Sequence, residues 1–197
     1  MEITDEQMEW ATVHRMREML IDVHDGYKVT HSYALFTTIL CWVIQRVRSN
    51  GAGQLDRKSV FKRLQTEQIS DASWQLWTGG NNPPTEARRF RLGGPFEDFE
   101  GFDAAKFLTA LRNATAHGDA RKIRPVNRNN ILVGYEFACT ERGNPTWSGT
   151  IVLGRTDMRR IGVAFADRFR AALSEGGNEE HRLRFEEEAS LIREEAA

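Results

Sequence analysis

The sequence predicts a mainly α-helical protein: a helical bundle with a β-hairpin inserted before its last core helix. Three observations carry that expectation. Apolar residues recur at three- and four-residue spacing along much of the 197-residue chain, the period of an amphipathic helix. One run, Thr30 to Val47, is apolar almost all round, as a helix buried in a core is. Only Ile131–Cys139 and Trp147–Leu153 read clearly as strands, joined by a turn around Arg142-Gly143-Asn144-Pro145. A chain of this length buries one sizeable core and is short for two. Residues 1–175 therefore read as one helical domain and 176–197 as an acidic helical tail.

The elements follow in order. Thr4-Asp-Glu-Gln is a capping box with Gln7 at the third helical position. Met8, Val13, Met16, Leu20 and Val23 continue that helix, and Gly26 suits its stop. The apolar second helix ends near Asn50-Gly51. Shorter amphipathic helices are expected around Asp56–Gln65 and Ser70–Trp77, with Trp74 and Trp77 read as core residues. Thr78 to Pro95 reads as a loop, because Gly79-Gly80-Asn81-Asn82-Pro83-Pro84 and Gly93-Gly94-Pro95 interrupt regular structure. It carries Arg88, Arg89 and Arg91, but no phosphate-loop or dinucleotide fingerprint. The next helix spans Ala104 to His117, with Asp103 as N-cap, Phe102 and Phe107 placed as a hydrophobic staple, and Gly118 as the stop. Asp119 to Arg128 reads as a polar, basic connection. After the hairpin, a last core helix runs from Asp157 to Leu173 with Thr156 as its cap. Gly176-Gly177-Asn178 then separates it from the tail.

Composition narrows the function classes. Hydrophobic residues at 40% and charged residues at 28% are ordinary for a soluble globular domain. The most apolar stretch, Tyr33 to Ile44, is far shorter than the roughly 20 residues a bilayer needs, so no membrane contact is expected. The start, Met1-Glu-Ile-Thr-Asp-Glu, is acidic where a secretory signal is basic. Cys41 and Cys139 stand alone, which suggests neither a disulfide framework nor a zinc site. A cytoplasmic location is expected. The net charge is −1, yet the segment from Glu175 onward holds eight acids against three arginines, leaving 24 basic and 20 acidic residues elsewhere. The tail is either a solvated helix face or a shield for a basic groove.

The helix from Asp103 to His117 carries the residues that could do chemistry. At about 100° per residue, Phe107, Leu108, Leu111, Ala114 and Thr115 share a core-facing arc. Lys106, Thr109, Arg112, Asn113 and His117 share another, with only Ala105 and Ala116 between them. Arg112 offers a planar, permanently charged fork for a phosphate. His117 titrates near neutrality and can move protons. Asn113, four residues before it, can orient the imidazole or hold a phosphate oxygen. No carboxylate lies on this arc, so two-metal chemistry is not expected, and no metal or other cofactor is called for. Arg121, Lys122, Arg124 and Arg128 follow and could track a phosphate backbone or simply be solvated. The bland alternative for Arg112 and His117 is placement by the helix dipole.

The run Leu111-Arg112-Asn113-Ala114-Thr115-Ala116-His117-Gly118 resembles the signature of the HEPN superfamily, in which an arginine and a polar residue precede a histidine late in a helix. The likeness is sharp over about Phe107–Asn127 and architectural over about 5–175. It implies a HEPN-like helical bundle that pairs as a homodimer, with two motifs facing across a composite cleft. It also implies a metal-independent endoribonuclease in which the ribose 2′-hydroxyl attacks, leaving a 2′,3′-cyclic phosphate and a 5′-hydroxyl. His117 would be the general acid or base, Arg112 would stabilise charge on the phosphorus oxygens, and Asn113 would support both. Related proteins act as toxins or in anti-phage defence, often with an antitoxin or other regulatory partner. Some carry a modifiable tyrosine two residues after the histidine; Asp119 stands there in this chain, so that mode of control is not expected. The alternative is a non-catalytic dimeric module that uses the same face to bind RNA, a nucleotide or a protein.

Overall fold

A computed structural model describes residues 8–22, 27–48, 57–69, 89–92, 96–98, 102–116, 122–140 and 147–173. Five helices are seen among them: α1 (Met8–Ile21), α2 (Lys28–Arg48), α3 (Arg57–Thr66), α4 (Ala104–Ala116) and α5 (Arg155–Leu173). Three strands, β3 (Ile123–Arg128), β4 (Ile131–Thr140) and β5 (Trp147–Gly154), form an antiparallel sheet. Two short strands, β1 (Arg89–Leu92) and β2 (Phe96–Asp98), extend it beyond β5, giving the order β2-β1-β5-β4-β3.

The helices lie as a layer on one face of this sheet. α2 packs on α1, α4 and α5, and both α2 and α4 reach β4. Its Phe36, Ile39, Leu40, Val43 and Ile44 are buried, as are Leu20 of α1 and Met158, Ile161, Phe165 and Phe169 of α5. These fall at i, i+3, i+4 and i+7, so one stripe of each helix leaves water. The sheet answers with period two: Phe137, Cys139, Ile151 and Leu153 are buried on the helical side and alternate with outward-facing neighbours. Tyr33 stacks on Tyr135 at 4.1 Å, and Phe36 meets Phe137 edge-on at 6.4 Å. Gly162 lets α5 come close: a β-carbon there would lie 2.5 Å from Leu20 Cδ2.

Polar ties close the frame. Asp167 of α5 accepts from Arg17 of α1 and from Arg170. Glu67 accepts from Arg168 Nε at 2.7 Å. The backbone of 67–69 pairs with 102–104: Ile69 N–H donates to the Phe102 carbonyl at 3.0 Å, and Ala104 N–H to the Glu67 carbonyl at 2.8 Å.

The structure corrects several expectations. The domain is mainly helical, but the expected hairpin is part of a larger sheet. The basic connection after α4 is largely strand β3. It joins β4 through Asn129 and Asn130, whose φ angles of 51° and 62° are those of the tight turn that suits hairpin twist. The loop expected over 78–95 contains β1, pairing with β2 and with β5. The cap of α5 is not Thr156. Asp157 Oδ2 accepts the Gly154 N–H at 3.0 Å, so the acid at the third helical position reaches back to cap the helix. Ala105 and Ala110 are buried too, which gives α4 a wider buried face than the wheel suggested. The expected Thr4 cap, the helix at Ser70–Trp77, His117, Gly118, Arg121 and the 176–197 tail lie outside the described residues.

Candidate functional site: the seam between α2 and α4

α4 holds its polar residues firmly. Asp103 caps it, with Oδ1 accepting the Lys106 N–H at 2.7 Å. Phe102, Phe107, Leu108 and Leu111 are buried, and Thr115 Oγ1 bonds back to the Leu111 carbonyl at 2.9 Å. The buried face fixes the rotation of the helix, so Arg112 and Asn113 emerge half-buried at its C-terminal end, beside α2.

Arg112 is the centre of the arrangement. Its Nη1 donates to Asn113 Oδ1 at 3.3 Å and its Nη2 reaches Gln45 Oε1 of α2 at 3.5 Å. Its Nε is buried with no hydrogen bond among the described residues. Cys41 lies one turn before Gln45. Burial pushes its thiol above the usual range, and the Arg112 charge pulls the other way with a smaller effect. That charge is therefore felt across the seam.

Three other half-buried arginines, Arg17, Arg168 and Arg170, set a contrast. Arg17 sits on Asp167 and Glu18, Arg168 on Glu67, and Arg170 on Asp167. Arg112 has no carboxylate partner among the described residues; both its contacts are neutral amides. Partial burial of a cation without a counter-charge is costly, and an arriving anion lowers that cost. The amides add to the donor character. Each presents its oxygen to Arg112, so each is left with an NH2 group that no described residue engages.

The remaining sequence candidates are dispersed. Lys106 lies about 9 Å from Arg112 along the helix axis, with its Nζ 4.3 Å over the Phe102 ring. Thr109 has a buried Oγ1 with no hydrogen bond among the described residues, so it does not present an open hydroxyl. Arg124 pairs across the ladder with Glu136, on the sheet face turned away from the helices. Lys122 is half-buried just before β3 and bears on the Cys139 thiol. Arg128 is exposed next to the Asn129-Asn130 turn. Of the catalytic candidates the described residues join Arg112 and Asn113, and they add Gln45 and Cys41. The sequence signal for that pair is a polar line, Thr37, Cys41 and Gln45, at four-residue spacing beside the apolar stripe of α2.

Among the described residues, no group of His, Cys, Asp or Glu side chains is placed to hold a metal ion. No helix there is long and apolar enough to cross a membrane. No family model, curated protein or solved structure matches the chain.

Proposed function

We propose that the protein is a metal-independent endoribonuclease whose site is built on Arg112, Asn113 and His117. The observation that carries this reading is the half-buried Arg112 guanidinium, held by neutral amides and without a carboxylate among the described residues. Such a group suits a ligand that brings its own negative charge, and a planar fork suits a phosphate. The resemblance of Arg112–His117 to the HEPN signature supports the choice of RNA and supplies the proton-transfer group.

In this mechanism the 2′-oxygen attacks phosphorus while the bond to the 5′-oxygen breaks. The 2′-hydroxyl proton passes to a base, and the leaving oxygen takes a proton from an acid. His117 serves one of these roles. Arg112 stabilises the charge growing on the non-bridging oxygens, and Asn113 holds Arg112 in register. The products are a 2′,3′-cyclic phosphate and a 5′-hydroxyl. A homodimer that brings two motifs together would supply both proton-transfer groups, and an RNA-cutting role in defence or in a toxin pair fits such a site.

The test is cleavage of a structured RNA in EDTA by wild type, Arg112→Ala and His117→Ala. Wild type should leave cyclic-phosphate ends, with each variant down about 100-fold or more. RNA binding that depends on Arg112, with no cleavage under any condition, would replace the enzyme with the binding module.

A further inference from the structure

We infer that Gln45 of α2 is a substrate-binding residue of this site, donating its side-chain N–H groups to the phosphate that Arg112 receives. The inference rests on the proposed Arg112 site and extends it to a second helix. Gln45 is exposed, and its oxygen is the end that faces the guanidinium. A carboxamide carries its acceptor and its donors on one carbon, so the NH2 lies beside the oxygen that Arg112 engages, and no described residue takes it up. Asn113 has the same arrangement on the other side. An oxyanion approaching the seam thus meets a guanidinium flanked by two carboxamide donors. Because both amides are neutral, they hold the fork without cancelling its charge.

This assignment makes the identity of residue 45 sharply testable. Gln45→Glu preserves size but replaces the donors with a carboxylate beside Arg112, giving the guanidinium an internal counter-ion. Gln45→Ala removes the donors and adds no charge. Binding of a 2′-fluoro oligoribonucleotide, which has the phosphates but no 2′-hydroxyl to react, isolates affinity from cleavage. Gln65→Glu, at an exposed position of α3, controls for the added charge.

Gln45→Ala should weaken binding about three- to ten-fold, one lost hydrogen bond, with an unchanged salt dependence. Gln45→Glu should weaken it at least about ten-fold more than Gln65→Glu does. It should also reduce the slope of log affinity against log salt by about 0.7, one phosphate contact on a single strand, matching Arg112→Ala. Thermal melts of the variants should agree with wild type, since the position is on the surface. If Arg112→Ala weakens binding while Gln45→Glu equals Gln65→Glu, Gln45 is outside the site and this inference falls alone. If Arg112→Ala binds like wild type, the proposed site falls and takes Gln45 with it.

Discussion

Burial acts on two side chains of this protein with different results. Arg112 is half-buried, with two neutral amides and no carboxylate among the described residues. Cys139, fully buried behind the sheet, has its thiol pushed up to about 12 by desolvation, against which the Lys122 charge pulls only weakly. The pH consequence has a definite sign. Between the ordinary thiol range and about pH 12 the unfolded chain loses this proton and the folded chain keeps it. The unfolded state then binds fewer protons, so stability falls as pH rises through that window, by about 1.4 kcal/mol per pH unit from this group. Cys139→Ala should be less stable than wild type at pH 7 through lost packing, and its deficit should shrink between pH 9 and 11. Urea melts across that range check it; a constant deficit counts against a buried neutral thiol. The same scale shows which parts of the site were readable. Arg112 and Asn113 are neighbours on one helix, so their pairing follows from local geometry. Gln45 is 67 residues away, and only the packing of α2 on α4 brings it there.

Elements whose sequence contains its own reasons were legible. α4 has its cap, staple and apolar face in the residues Phe102 to Leu111, and the alternation of β4 and β5 is plain. β3 escaped because Arg124, Pro125, Asn127 and Arg128 look like a loop. An edge strand tolerates proline and favours charge, and that placement is visible only once β4 is beside it. The Asn129-Asn130 pair was the available signal for the turn. β1 and β2 are too short to announce themselves and exist through pairing. The ladder also sets a steric demand. Gly134 faces Gly154 across β4 and β5, and a β-carbon at 134 would run into the Leu153 carbonyl oxygen. Gly134→Ala should therefore cost about 2 kcal/mol or more, since backbone rather than a pliable side chain must move. A lower urea midpoint at unchanged slope is the expected result; a midpoint within error of wild type would mean that the strands can part there without loss.

At the scale of the molecule, helical periodicity sufficed for the mainly helical character, because long apolar stripes must meet somewhere and can do so in one core. It did not predict that the bundle would use a sheet as its second layer, since sheet width is a property of pairings remote in sequence. One of those remote pairings reaches further. The backbone of 67–69 hydrogen-bonds to that of 102–104, and the Arg168–Glu67 bond anchors the same spot to α5. Ile69 and Phe102, the two ends of the intervening segment, are thus held side by side, like the two mouths of a side road at one junction. Closing a connection between two such adjacent points costs little more entropy as the connection lengthens. Replacing 89–98, which carries β1 and β2, by a short glycine–serine bridge should preserve Arg112-dependent RNA binding, because the ties between 67–69 and 102–104 remain. It should also promote self-association, because the β5 edge that β1 now covers would be bare. A domain of this plan can lengthen or exchange the chain between those two points while the paired ends stay where they are. That stretch is the place where relatives sharing the α2–α4 seam should differ most in size.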